Sequence, residues 1–303
     1  MTNLADRDQL SRFLIDGAGV RGVRVHLRET WQQIRTRVAS FNQELPEAAA
    51  ELLGEAVAAS ALFTGHAKVD GRLSVQLRGH GALRALFAEC TAAGTLRGIA
   101  QLAEDGTVSR DLRELGPDAV LAITIENPSR DDREPVRYQG LVELEADSLA
   151  GAFEDYFRRS EQLPTRLLLA ADENSAAGLM LQKLPGDAGD GDGWSRAGAL
   201  FDTLSPRELL EWTDEQLVTR LFHEDGVQML GTKPLAFGCS CSRERVESML
   251  ASLGEEEAHA ALTDGEAVVR CEFCGQSYRF STEQITGLFT PGPDVQPAPE
   301  RTQ

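Results

Sequence analysis

Basic residues are in short supply in this chain: 30 lysines and arginines stand against 48 aspartates and glutamates among 303 residues, a formal net charge of -18. Proteins that track a phosphate backbone cluster Lys and Arg, so the deficit argues against nucleic acid as a partner. The surplus of negative charge favours solubility, and its self-repulsion opposes aggregation if apolar surface is ever exposed. Long apolar runs are missing too. No stretch approaches the roughly 18 to 20 apolar residues that a membrane span requires. The opening "MTNLADRDQLSRF" has neither the basic n-region nor the apolar h-region of a secretion signal. A soluble cytoplasmic protein with no membrane partner is therefore expected. Cysteine is scarce, at five residues. In a reducing compartment, closely paired cysteines are more often metal ligands or redox groups than standing structural disulfides.

What is present makes those few cysteines informative. "FGCSC" places Cys239 and Cys241 one residue apart, and "CEFCGQ" supplies Cys271 and Cys274. Two close pairs of thiols point to a four-thiolate zinc site, since four sulfurs close a tetrahedron. The Cys271-Cys274 half is a good knuckle, because a tight turn turns both sulfurs to one side and Gly275 tolerates the backbone geometry that follows. A module of this size buries little core by itself, whereas structural zinc contributes an apparent 10 to 16 kcal/mol, roughly. Loss of the metal should unfold it. The single-residue spacing adds a second property. In an extended chain, residues two apart are separated by roughly 6.6 Å, close to the outer limit of about 6.8 Å for a disulfide. A bond there is possible but strained, and so readily reduced. Arg243, Arg245 and Arg270 lie near these cysteines in sequence and either favour thiolates or form a solvated face. Cys90 reads as a buried structural thiol, and His259 as an alternative ligand that a four-sulfur site does not require.

The rest of the chain divides into an α+β core over 1–185, a metastable helical linker over 186–234, a four-cysteine zinc domain over 235–289 and a disordered tail over 290–303. "LPEAAAELLGEAVAASALFTGHA" reads as a packed helix. In "KVDGRLSVQLRGHG", Asp70-Gly71 suits a hairpin turn and Leu73, Val75 and Leu77 alternate as on a half-buried strand. "AVLAITIEN" and "VRYQGLVELEAD" are further strands, Asp147 is expected to cap a helix, and "RLLLAADENSAAGLMLQKL" reads as a hairpin. "GDAGDGDG" marks a boundary and reads as a plain flexible linker, since it lacks the terminal Glu of an EF-hand. Two capping boxes follow, Ser205-Pro-Arg-Glu208 and Thr213-Asp-Glu-Gln216, opening short helices striped with Leu209, Leu210, Leu217, Val218, Leu221 and Phe222. Helices this short are marginal in water, so their order depends on docking. Ser242 caps a helix that Gly254 stops, "EAVVRCEFCGQSYRF" reads as strand, turn, strand, and Ser281 opens a final helix.

"CSCSRER" and "CEFCG", taken with "ELLGEAVAASALF", "LRGIA", "RYQGLVELEADSLAGAFEDYFRRSEQLPTRL" and "RLFHEDGV", strongly resemble the 33-kDa chaperonin family of bacterial redox-regulated heat-shock chaperones. The resemblance runs from about Arg12 to about Leu288. His80 departs from the acidic residue expected after "RG", and the "GDAGDGDG" insert is particular to this sequence. The resemblance implies an ATP-independent holdase, not an enzyme, that is inactive when reduced and bound to one zinc per chain through Cys239, Cys241, Cys271 and Cys274. Oxidants such as hypochlorite, or peroxide with heat, would form Cys239-Cys241 and Cys271-Cys274 disulfides and release zinc. The zinc module and the linker, about Trp194 to Pro234, would then unfold and expose a surface for unfolding client proteins, and the oxidised chain would dimerise. From the residues alone, a thiol-disulfide oxidoreductase using Cys271 and Cys274, or a zinc ribbon serving as an interaction module, remains an alternative.

Overall fold

The computed structural model describes residues 8–290 apart from 42–43, 117, 130–134 and 187. The expected tail beyond residue 290 lies outside the described residues. The chain forms two compact units, divided between Cys239 and Ser240.

The first unit is α+β, with antiparallel pairing throughout its two main sheets except at one short edge strand. In chain order it contains β1 (Gln9–Ile15), β2 (Val20–Leu27), α1 (Glu29–Ala39), α2 (Glu47–His66), β3 (Arg72–Arg78), β4 (Leu83–Thr91), β5 (Thr95–Leu102), β6 (Val120–Asn127) and β7 (Val136–Val142). It continues with α3 (Leu149–Tyr156), β8 (Thr165–Ala171), β9 (Ala176–Lys183), α4 (Gly193–Phe201), α5 (Pro206–Glu211), α6 (Asp214–Phe222), β10 (Val227–Pro234) and β11 (Ala236–Phe237). One sheet has the order β10-β1-β2-β9-β8, the other β11-β5-β4-β3-β6-β7. The α2 helix packs against strands of both, which explains its composition. A helix with apolar neighbours all round must be apolar all round, and Leu52, Leu53, Val57, Leu62 and Phe63 are all buried. By length and composition α2 could cross a bilayer, but 78% of its apolar window is buried inside the protein, which marks a core helix.

The central strands β2 and β9 of the five-stranded sheet are covered on both faces, so β9 reads as a nearly continuous apolar run without clean alternation, while the edge strand β10 is mostly exposed. Val23, Val25, Leu27, Leu167, Leu169 and Met180 join the core around α2. The opposite face presents Phe13, Ile15, Val20, Ala170, Leu179 and Leu181 to the apolar residues of α4, α5 and α6. Both capping boxes expected there are formed.

Three local features differ from the sequence reading. Asp70-Gly71 does not join two strands; it connects α2 to β3, and both amides are held by the Asn127 side chain at 2.8 and 3.1 Å. The cap of α3 is Ser148, one residue beyond Asp147, because its hydroxyl is the one placed to accept from the Gly151 amide. "GDAGDGDG" is tied down at Asp190, whose amide donates to the Gly17 carbonyl at 2.8 Å, while its acidic side chains serve Arg196: Asp190 at 3.1 Å and Asp192 at 2.7 Å.

The second unit holds α7 (Arg243–Leu253), α8 (Glu255–Ala260), β12 (Glu266–Arg270), β13 (Ser277–Ser281) and α9 (Thr282–Phe289), with β12 and β13 an antiparallel hairpin. As expected, Ser242 caps α7, Gly254 ends it with a φ of 100°, and a capping box at Ser281 starts α9. Its buried core is six side chains: Val246, Leu250, Ala258, Ala267, Phe280 and Ile285. So small a core needs a staple.

Candidate metal centre

Each of the four cysteines is set by its own local structure. Cys239 follows β11, which pairs in parallel with β5 through Ala236 to Thr95 and Phe237 to Leu96. The Gly238 amide extends that pairing to the Leu96 carbonyl at 3.0 Å. A Cβ on Gly238 would lie 2.7 Å from the Thr95 side chain, so only glycine lets the chain run this close. Cys241 sits just before the Ser242 cap, near the positive end of α7, where a thiolate is favoured. Cys271 and Cys274 lie on the turn between β12 and β13. The Gly275 amide donates to the Cys271 carbonyl at 2.8 Å, the Cys271 amide to Gln276 at 2.9 Å, and Gly275 takes a φ of 77°.

The four sulfurs lie within 4.8 Å of one another, with Cys241 and Cys274 3.3 Å apart. A tetrahedral zinc with Zn–S bonds of about 2.3 Å requires sulfur separations near 3.8 Å, roughly. The set therefore fits one metal ion with shifts of under an ångström or so for most pairs. The chemistry of the donors agrees, since four thiolates select a soft or borderline cation such as zinc.

Two residues around the sulfurs were not singled out from sequence. The Tyr278 hydroxyl donates to the Cys241 sulfur at 3.1 Å, and this bond, with the neighbouring thiols, pushes the phenol up to about 12. Tyr278 follows the knuckle on β13, so its proximity has a local signal. The Arg97 guanidinium approaches the Cys239 sulfur at 3.9 Å from β5, and a pairing so distant in sequence has none. Of the arginines flanking the cysteines, two turn to other partners: Arg243 bonds Glu247 at 3.1 Å and covers the Phe280 ring, and Arg245 donates to the Ser240 carbonyl at 2.9 Å. His259 lies beside Thr286, outside the cluster. Cys90 is 1% exposed, and burial pushes its thiol up to about 11, as befits a structural residue.

A second arrangement lies where α5 and α6 meet the sheet. Arg24, on β2, is 1% exposed. It pairs with Asp214 at the start of α6 and donates to the carbonyls of Trp212 and, at 3.3 Å, Leu209. Gln9 donates to the same carboxylate at 2.8 Å, Ser11 also bonds it, and His26 Nε2 reaches the Leu210 carbonyl at 2.9 Å. Burial lowers the basicity of Arg24, which Asp214 opposes, and burial likewise holds His26 below its ordinary value. Both ends of the α5–α6 turn are thus gripped by side chains of the sheet.

Comparison with known proteins gives one consistent picture. The family model described as Hsp33 protein matches residues 8–281. The 33 kDa chaperonin of Ectopseudomonas mendocina is 43% identical over 290 residues, covering 93% of this chain and 95% of that protein. That of Azotobacter vinelandii is 41% identical, covering 98% and 100%. A crystal structure of the 33 kDa chaperonin from Thermotoga maritima superposes with a TM-score of 0.73 at 21% identity, over 93% of this chain and 97% of that one. The last shares the fold.

Proposed function

The chain belongs to the Hsp33 protein family, and on that premise we propose that it is a redox-regulated, ATP-independent holdase of the cytoplasm. Cys239, Cys241, Cys271 and Cys274 hold one zinc ion in the reduced protein. The cluster of four sulfurs within 4.8 Å is the observation that carries this reading. Bound zinc supplies the folding energy that six buried side chains cannot, roughly 10 kcal/mol or more for sites of this class.

Oxidation removes two electrons from each thiolate pair, passing them to an oxidant such as hypochlorite or peroxide, and leaves two disulfides. A disulfide sulfur is no longer an anionic ligand, so the metal leaves and the second unit loses its order. Cys239 is then no longer fixed from its C-terminal side. The chain running back from it through β11 and β10 ends in α6, α5 and α4. These helices are too short to persist undocked, and the sheet face beneath them is largely apolar. Their release uncovers Phe13, Ile15, Val20, Leu179 and Leu181 for unfolding client proteins, and provides surface through which the oxidised chain dimerises. The strand-turn-strand setting of Cys271 and Cys274 supports a sensor over a disulfide oxidoreductase, whose attacking thiol is typically activated at a helix N-terminus.

The test is zinc release followed in parallel with client light scattering during oxidation. The reduced chain should carry one zinc and leave a heat-unfolded client to aggregate. The oxidised chain should lose zinc and suppress scattering without ATP. Suppression by the reduced, zinc-loaded protein at the same level would contradict the switch.

A further inference from the structure

The sheet face under α4–α6 is not purely apolar, because Arg24 stands in it among Phe13, Val20 and Leu179. In the structure this cation is answered by a specific pattern: an apolar helical segment, two carbonyl oxygens at a helix end, and the Asp214 carboxylate. Whatever displaces the helices must answer it again. An unpaired cation left under an apolar client would keep its desolvation penalty, and breaking such a pair is strongly unfavourable. We propose that the uncovered face selects client segments in which a carboxylate is embedded in apolar sequence, Arg24 being the residue that reads the carboxylate. This rests on the holdase reading and adds the chemical class of the partner.

The geometry also shows how a client can compete with the chain's own helices. Asp214 engages Nη1 alone, and the buried Arg24 Nε has no hydrogen-bond partner among the described residues. A carboxylate free to choose its approach can take Nε and Nη2 together, the bidentate geometry that arginine favours. His26, Gln9 and Ser11 on the same face supply further polar contacts at its edge. The preference is local: the chain's overall charge of -18 disfavours acidic clients in general, so a single carboxylate within apolar sequence suits the face and an acidic run does not.

The test uses the full-length oxidised chain and a fluorescein-labelled peptide of residues 205–222, SPRELLEWTDEQLVTRLF, with a second peptide carrying Asp214→Asn. Anisotropy should show the aspartate peptide binding about tenfold more tightly, the expected worth of one hydrogen-bonded charge. Arg24→Met should abolish the difference, and Arg24→Lys should keep part of it. The peptide comparison on the unaltered chain needs no variant to fold. Equal affinities, or no binding, would overturn the proposal. Binding lost as the oxidised chain self-associates would assign the face to a second copy and overturn it as well. Client light scattering, measured separately, judges the holdase reading: suppression with equal peptide affinities keeps that reading and removes this one, and discrimination without suppression removes the holdase reading and with it the assignment of the carboxylate site to clients.

Discussion

Arg97 directs one guanidinium nitrogen to the sulfur of Cys239 at 3.9 Å while its Nε is held 2.9 Å from Glu89, a carboxylate only 4% exposed. Strands β4 and β5 thereby fix a cation against one member of the cysteine cluster. A donor to a ligating sulfur stabilises the thiolate and orients it, and such outer partners are worth about tenfold in metal affinity or more. Arg97→Gln should weaken zinc binding by about that factor in competition with a chromophoric chelator. Unchanged affinity would make the contact incidental.

The second unit should stand or fall with its metal. Cys271→Ser removes one of the four proposed ligands, and a six-residue core is too small to compensate. The variant should lose zinc, and amide exchange should become fast across 243–289 while β1 to β9 keep their protection. Slow exchange throughout the metal-free second unit would show that its core suffices alone.

Phe222, the last residue of α6, is fully buried, its ring 6.3 Å from that of Phe13. Truncating a buried phenylalanine costs about 3 to 5 kcal/mol, more than helices of this length can bear when docking is their main support. Phe222→Ala should undock α5 and α6 with zinc still bound, seen as increased dye binding to exposed apolar surface and partial suppression of client aggregation in the reduced state. Thr213→Ala removes a cap worth about 1 kcal/mol, so it should only lower the oxidant or temperature needed.

His66 gives the first unit an acid sensitivity of definite sign. Its Nε2 faces the Arg21 guanidinium at 3.0 Å and so accepts a hydrogen bond as the neutral ring. Burial first, then the Arg21 charge, pushes it down to about 4. The unfolded chain takes up this proton near pH 6.5, roughly, and the folded chain does not until lower pH, so stability falls as pH drops through that window. Glu55 acts oppositely: burial raises its carboxyl to about 7, so its contribution is present in acid and lost as pH rises through that value. His66→Gln isolates the first effect. It should reduce the stability lost between about pH 7 and pH 5 by about 2 kcal/mol in denaturant titrations. An unaltered difference would mean that His66 is protonated in the folded state.

The centre was legible in sequence because its parts are local. Cys239 and Cys241 flank one residue, Cys271 and Cys274 span one turn, and Ser242 and Gly275 carry standard cap and turn chemistry. The capping boxes at Ser205, Thr213 and Ser281 were legible for the same reason, each being a four-residue pattern. Partnerships across the chain were not. Arg24 alternates with Val23 and Val25 on β2 and looks like any solvent-facing residue of a half-exposed strand; only the return of α6 over that face buries it. Arg97 reads as one residue of "LRGIA" until β11 pairs with β5 beside it. Asp70-Gly71 has the composition of a hairpin turn, yet the element before it is the long helix α2, so the pair serves a different connection.

Gly17 has a consequence for how firmly clients are held. Its carbonyl accepts from Asp190 at 2.8 Å and its amide donates to the Asp225 carbonyl at 2.9 Å, so the segment carrying α4, α5 and α6 begins and ends at one residue of the β1–β2 turn. While those bonds persist, the undocked segment is a leashed competitor, present at its own site at an effective concentration in the millimolar range, roughly. On the proposed switch, a client on that face would have to outbid this standing local concentration for as long as it remained bound. Return of the helices is then a unimolecular step, so how long a client stays bound is governed by a leash built into the same chain.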